Sequence, residues 1–573
     1  MEYSIKICGS AGQGIQTVGE TIARVFSRNG YHVFTHQDYE SRVRGGHNFF
    51  QIRVSDSPVS SSREKIDILV VFDKGSIEMY EQELNNNGIV IYDAATLQLS
   101  YDKPNFLNVP FSQLAAENGG SIIMANTVAI GAVLGILDFD PEKLFEIIKS
   151  VFKKKGEDVV QVNIKAATAG KEYAHKNASI SFPPLPPTDK KPKLLMNGAD
   201  AVGFGAVASG CKFYSAYPMT PSTGVMTYLA GNSKEHGIVV EQAEDEISAI
   251  NMAIGASFAG VRSMTGSSGG GFGLMVEGIS LAAMTETPIV IVLAQRPGPA
   301  TGLPTRTEQG ELLYVIHASH GEFPRVVFAP GSPEQAVYLT NKAFELAEKY
   351  QIQSFILIDQ YLGDTQWTSG EFDMNKLVYN DYRLRGEKLQ QLTNYKRHQF
   401  TDTGVNPLAI PGESRHLVVT DSDEHDEDGH LIEGAEGRIK MVQKRVFKKL
   451  PMIIDEIEPP MLYGDKAPEI IIAGWGSTYG QLREAVDMLI KEGKKAAMLH
   501  FSEIYPFPST KKLDYMSLLN NAKTTICVEN NATGQFAKLM RGETGYAFKH
   551  RINKYDGRPF LLEQLTKEIK TFL

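Results

Sequence analysis

The feature that most constrains the fold is a strand, a glycine turn and a helix that recur in that order. Residues 3–8 (YSIKIC) read as an apolar strand. Gly9, Gly12 and Gly14 then turn the chain, and Ile15, Val18, Ile22, Val25 and Phe26 recur at helical spacing over 15–29. Further strands are predicted at 32–35, 67–72 and 88–93. The rhythm returns at 194–366, with strands at 211–216, 238–241, 289–294 and 354–359 and helices at 222–230, 244–259, 273–284 and 332–349. It returns again at 469–573, where EIIIAGWGST is a strand and a glycine turn, followed by a helix at 479–492 and a strand at 496–500. Strands that alternate with helices are joined by crossovers, and crossovers build parallel sheets covered by helices. The chain is therefore predicted to be a multidomain α/β protein of three parallel-sheet layers.

Punctuation sets the boundaries. Residues 180–193 (ISFPPLPPTDKKPK) hold five prolines and three lysines. Proline fixes φ and removes a donor, so a semi-rigid linker is predicted. The domains are placed at 1–180, 194–367 and 467–573, with the linker at 181–193. Residues 368–466 form an extended connecting or interface segment. It contains 421–436 (DSDEHDEDGHLIEGAE), with eight acids and no Lys or Arg. A calcium loop begun at Glu424 places Asp426, Asp428 and Gly429 correctly, but Ala435 stands where a glutamate is needed. The run is read as a solvated or dimer-contact loop. The most apolar stretch, 121–137, carries Asn126 and Thr127 and is short for a bilayer, so it is read as a buried helix with no membrane role.

Charge and cysteine content narrow the function. A net charge of -9 argues against a nucleic-acid partner. Cys8, Cys211 and Cys527 are far apart in sequence, which excludes a disulfide framework, a Cys-rich zinc site or an iron–sulfur cluster held by this chain alone. A reducing, cytoplasmic compartment follows. The N-terminus lacks the pattern of a signal peptide.

Four segments carry candidate chemistry. Gly9-x-x-Gly12-Gln13-Gly14 lets backbone approach a phosphate at a helix N-terminus, although it is not the GxGxxG fingerprint and also suits a tight packing turn. Arg42 and Arg44 add groups suited to phosphate in the same domain, or else form a solvated turn or a subunit contact. Tyr217-Pro-Met-Thr220-Pro-Ser-Thr follows a strand, at the edge where open α/β sheets bind ligands, and is equally a capped helix start. In VVEQAEDEISA, Glu244 and Asp245 read as caps. Glu246 lies on the edge of an apolar stripe and needs a partner or a purpose. Arg296, in QRPGPATGLPT, stands at the end of a buried strand. It suggests a bound carboxylate or phosphate, unless a local acid such as Glu286 or Glu308 pairs with it.

Together, these motifs resemble the alpha subunit of 2-oxoacid:ferredoxin oxidoreductases of the type with a fused gamma domain. The resemblance covers essentially the whole chain, with Met219 replacing an isoleucine of the family pattern. Thr307-Glu-Gln-Gly and Glu424-His-x-x-x-Gly-His look like the 2-oxoglutarate members. The resemblance implies a gamma domain, a pyrimidine-binding domain and a transketolase C-terminal-like domain. It implies that Glu246 hydrogen-bonds the aminopyrimidine of thiamine diphosphate, and that Thr220, Arg296 and Thr305 hold the 2-oxoacid in a pocket lined by Tyr217. Gly12, Gln13, Gly14, Arg42 and Arg44 are expected at the phosphates of coenzyme A.

The chain has no GDG followed by an asparagine pair, so magnesium and a [4Fe-4S] cluster are expected on a beta subunit. The assembly is expected to be an (alpha–beta)2 heterotetramer that reduces ferredoxin. The implied reaction is 2-oxoglutarate with coenzyme A to succinyl-CoA and CO2, or its reverse. Alternatives are the same chemistry on pyruvate or a branched or aryl 2-oxoacid, a non-catalytic nucleotide-binding module, and an autonomous thiamine enzyme of the transketolase kind.

Overall fold

Apolar runs and glycine turns place the strands and helices, and a computed structural model describes residues 1–41 and 45–573. Two compact units emerge. One comprises Met1–Met196, Thr365–Glu371 and Leu561–Thr566; the other comprises Asn197–Asp364, Phe372–Phe560 and Lys567–Leu573.

The first unit carries an eight-stranded sheet. Its order is Phe106–Asn108, Leu84–Tyr92, Ile66–Val71, Glu2–Ala11, Gly45–Ser55, His32–Asp38, Gln366–Ser369, Leu194–Asn197. Glu2–Ala11 runs parallel to Ile66–Val71 but antiparallel to Gly45–Ser55, which is also antiparallel to His32–Asp38. The sheet is therefore mixed, where a parallel one was expected. Gly45 and Gly46, with left-handed φ of 73° and 72°, open the long strand Gly45–Ser55. Polar residues such as Gln51 and Arg53 hide that strand from a search for apolar runs.

Helix Ile15–Arg28 buries Ile15, Val18, Ile22, Val25 and Phe26 on this sheet, as the spacing predicts. Helix Ala125–Ile136 is buried from Val128 to Ile136 and packs on helix Glu157–Asn177, where a Cβ on Gly131 would meet the Ala167 carbonyl at 2.0 Å. The proline stretch packs against this unit. Phe182 and Leu185 are buried, Tyr31 Oη donates to the Pro186 carbonyl (3.0 Å), and the Lys193 N–H donates to the Ser27 carbonyl (2.9 Å).

The second unit has two sheets. The larger has the order Glu503–Tyr505, Arg325–Phe328, Gln353–Asp359, Ile289–Gln295, Ser263–Ser267, Phe213–Ala216, Val239–Gln242, and it is parallel apart from Glu503–Tyr505. The smaller has the order Met461–Gly464, Ala496–Phe501, Ile470–Trp475, Thr524–Glu529, His550–Asn553. One apolar core joins the two, from Ile250 and Phe272 to Trp475 and Phe536. Among the described residues, no helix is long and apolar enough to cross a membrane.

The connecting segment is folded into this unit. Glu424 accepts from Arg445 Nη1 and Nη2 (both 2.8 Å) and pairs with Arg438. The Glu427 carboxylate accepts from the Phe400 N–H (2.8 Å) and pairs with Lys396 (3.3 Å). Part of the acid in 421–436 is thus paired within the chain, while Asp423, Leu431, Glu433 and Glu436 stay exposed.

Candidate functional site

Three parallel strands, Phe213–Ala216, Ser263–Ser267 and Ile289–Gln295, end side by side in the second unit. At such an edge the loops after the strands form a crevice. The Tyr217-Pro-Met loop, helix Gly269–Met284 and the Arg296 loop are the segments that leave it.

Glu246 is the first residue of helix Glu246–Phe258 and is 3% exposed. Asp245 supplies the cap, its carboxylate accepting from the Ser248 N–H at 2.7 Å. Glu246 is thereby left for another task. Ser267 Oγ donates to its Oε1 at 3.1 Å. Ser267 Oγ also lies 3.8 Å from Met219 Sδ, which joins the Tyr217 loop to the carboxylate. A Cβ on Gly271 would stand 2.1 Å from both Glu246 Oε1 and Ser267 Oγ, so the helix start must be glycine there.

Arg296 is 9% exposed. Its Nη1 donates to the Thr220 carbonyl at 2.6 Å, while its Nε is buried without a partner. Burial lowers its pKa, and the negative field of Glu311 opposes that shift. Glu286 is not its counter-ion. That carboxylate is held by Lys444, Lys449 and His398. Thr305 is buried and Tyr217 is 41% exposed.

Five residues not assigned a role from sequence lie around this site. Ser267 and Ser268 belong to a glycine turn of low specificity; Ser268 Oγ is buried and unpartnered. Gln309 receives the Asn530 N–H (2.9 Å) on Oε1 and donates from Nε2 to the Trp475 carbonyl (2.8 Å), fastening the Arg296 loop to the smaller sheet. Asp359, at the end of strand Gln353–Asp359, accepts from the Leu362 N–H (2.9 Å) and from Ser477; burial raises its pKa to about 6. Burial also raises Glu311 to about 8, with Glu308 adding to the effect. Their only sequence signal is an acid beside an apolar run.

The residues present fit an aminopyrimidine ring. A buried carboxylate with one oxygen fixed by Ser267 faces a helix start of three glycines that brings no side chains into the space. Orphaned polar atoms at Ser268 and Arg296 lie at the same strand ends. A bound ligand would supply the hydrogen-bond partners that these buried atoms lack within the protein.

In the first unit, Gly12 and Gly14 have φ of 95° and 77° ahead of helix Ile15–Arg28. Gln13 is committed to the loop itself: its Oε1 accepts the Ser10 N–H (2.7 Å) and its Nε2 donates to the Phe72 carbonyl (3.0 Å). A cavity of about 390 Å³ beside this loop is lined by Gly12, Gly14, Gln37, Asp38 and Glu40 among others. Arg42 and Arg44 lie outside the described residues.

Residues 204–444 match the family described as "Pyruvate flavodoxin/ferredoxin oxidoreductase, thiamine diP-bdg", and residues 4–173 match "Pyruvate ferredoxin/flavodoxin oxidoreductase". The 2-oxoacid:ferredoxin oxidoreductase subunit alpha of a Sulfolobus species is 32% identical over 99% of this chain and 96% of its own length. The 2-oxoglutarate oxidoreductase subunit KorA of Mycobacterium tuberculosis is 26% identical over 99% and 91%. The 2-oxoglutarate:ferredoxin oxidoreductase from Magnetococcus marinus, solved with 2-oxoglutarate, coenzyme A and succinyl-CoA bound, matches with a TM-score of 0.91. Its identity is 30%, over 100% of this chain and 99% of that one.

Proposed function

This chain belongs to the alpha subunits of the 2-oxoacid:ferredoxin oxidoreductases, and on that premise we propose that it acts on 2-oxoglutarate, with coenzyme A, to give succinyl-CoA, CO2 and reduced ferredoxin, or runs the reverse carboxylation. The family chemistry is oxidoreduction of a 2-oxoacid with an iron–sulfur acceptor, and the chain carries the thiamine diphosphate-binding domain. The choice of 2-oxoglutarate is supported by the names of two similar proteins and by the Thr307-Glu-Gln-Gly segment. The domains are assigned as gamma (1–180), strap (181–193), pyrimidine-binding (194–367), connecting segment (368–466) and transketolase C-terminal-like (467–573).

The observation that carries the proposal is the buried Glu246 carboxylate, steadied by Ser267, whose hydroxyl also meets Met219 of the loop that Arg296 holds through the Thr220 carbonyl. Thiamine diphosphate, when bound, supplies the nucleophile and electron sink for decarboxylation. Glu246 keeps one oxygen for the proton at the pyrimidine ring nitrogen, and burial removes the water that would compete for it. Arg296 binds the substrate carboxylate with the donors that Thr220 does not use, and the Thr220 and Thr305 hydroxyls hold neighbouring oxygens. Tyr217 lines the mouth of the pocket. Fixing the carboxylate leaves the keto carbon facing the cofactor side.

A beta subunit completes the assembly as an (alpha–beta)2 heterotetramer and supplies magnesium and the [4Fe-4S] cluster that passes electrons to ferredoxin. Coenzyme A is assigned to the Gly12–Gly14 loop, where Gln13 acts by shaping the loop, and to Arg42 and Arg44. The three cysteines are free and buried, in keeping with the cytoplasm. The test is the rate of decarboxylation by the reconstituted complex. 2-Oxoglutarate should exceed pyruvate in kcat/KM, and the reverse order overturns the substrate assignment. If Arg44→Ala leaves the KM for coenzyme A unchanged, the coenzyme A assignment falls.

A further inference from the structure

One buried carboxyl at the site has no task in the mechanism above. Glu311 immediately precedes helix Leu312–His317. Its Oε2 is buried and has no hydrogen-bond partner. Its Oε1 lies where a Cβ on Gly269 would meet it at 2.5 Å. Two residues further along that helix, Gly271 faces Glu246 Oε1. The two carboxyls therefore rest on one helical turn. The Glu311 N–H donates to Gln295 Oε1 at 3.0 Å, and Gln295 immediately precedes Arg296. Arg296 is the cation whose field reaches Glu311, yet the two form no ion pair.

An ionised carboxylate with one oxygen buried and unpartnered is costly, whereas a neutral carboxyl in the same place costs much less. We propose that Glu311 is kept as the neutral acid beside Arg296, so that the guanidinium charge stays free for the carboxylate of the 2-oxoacid. Glu311 is then a positioning residue that sets the alkaline limit of substrate binding.

The groups that face it are Glu308 on the preceding loop, Asp359 at the end of its strand, Arg296 on its loop and Tyr314 on the following helix, with Glu246 across the glycine turn. Glu308 and Asp359 add to burial in holding the proton on, and Arg296 alone opposes them; the balance puts its pKa at about 8. The sign follows. Below that value Glu311 is neutral and Arg296 presents a full positive charge. Above it, a carboxylate appears beside Arg296, cancels that charge and repels the incoming substrate anion.

The inference rests on the reading of Arg296 as the carboxylate site, and the experiment separates the two. KM and kcat for 2-oxoglutarate are measured with the complete enzyme from pH 6.5 to 9.5. The wild-type KM should rise above pH 8, reaching roughly tenfold one unit beyond the pKa, because that group's protonation governs kcat/KM. Glu311→Gln, which keeps the shape and cannot ionise, should hold KM within about twofold over pH 7–9. A glutamine variant with the wild-type pH profile overturns the inference, and so does a wild-type KM that is flat to pH 9.5. The second result decides even if the variant does not assemble. Arg296→Lys should raise KM at every pH. An unchanged KM there overturns the reading of Arg296 itself, whatever Glu311 does.

Discussion

Glu286→Gln removes the centre of a buried charge cluster and tests how the connecting segment is held. Glu286 lies just beyond helix Gly269–Met284, the helix whose first turn carries the site. Its Oε2 accepts from Lys444 Nζ (2.5 Å), His398 Nδ1 (3.0 Å) and Asn406 Nδ2 (2.7 Å), and its Oε1 from Lys449 Nζ (2.5 Å). Arg397 Nη2 donates to the Glu286 backbone carbonyl at 2.7 Å, although Glu286 has a left-handed φ of 51°.

One carboxylate therefore serves two buried ammonium groups and a neutral imidazole, and against the cost of burial they hold its pKa well below the usual range. Glutamine keeps the shape and removes the negative charge that Lys444 and Lys449 share, so two ammonium groups lose their counter-ion. Breaking a buried pair in this way costs about 3–5 kcal/mol. Lys444→Met leaves Lys449 on the same carboxylate, so it should cost clearly less, about 1–3 kcal/mol. Burial has already brought Lys444 down to about 8. The deficit of Glu286→Gln should therefore shrink from pH 7 to pH 9, as the lysines lose their protons. The assay is urea unfolding followed by fluorescence of Trp475 in a Trp367→Phe background, which reports the second unit. A loss under about 1 kcal/mol at pH 7 for Glu286→Gln, or equal losses for the two variants, would refute the reasoning.

Other substitutions test the site and its surroundings. Glu246→Gln should lower kcat by about 10²–10⁴-fold while the unfolding midpoint stays put; a silent variant would leave a binding module as the better account. Gly271→Ala would drive a methyl against Glu246 Oε1 and Ser267 Oγ, each 2.1 Å from the new Cβ. A loss of kcat of about 10²-fold is expected, read by steady-state rates at saturating substrate. His398 is held neutral by burial, its pKa lowered to about 2, whereas in the unfolded chain it titrates near 6.5. Below pH 6.5 the unfolded state binds the extra proton, so stability falls on acidification by about 1.4 kcal/mol per pH unit from this residue. His398→Gln should remove that increment from unfolding free energies measured between pH 7 and pH 5.

Local patterns carried a good part of this protein in the sequence alone. Helix Ile15–Arg28, the buried helix Ala125–Ile136 and the central strands of the second unit were legible because apolar spacing and glycine turns act within a dozen residues. Glu246 was legible because a carboxylate on the edge of an apolar stripe is rare. Strand Gly45–Ser55 was not, since its polar residues are buried only by pairing with strands on both sides.

The partners of each site residue were decided by the tertiary structure. Ser267 reaches Glu246 across 21 positions, and Lys444 reaches Glu286 across 158. Glu311 acquires its character first from burial and then from Glu308, Arg296 and Asp359, of which the last two come from the ends of strands that only the sheet sets side by side. The chain's own residues determine what a segment buries. Which charges a buried group must then live beside depends on where distant segments are packed, because electrostatic cost follows distance in space and exclusion of water.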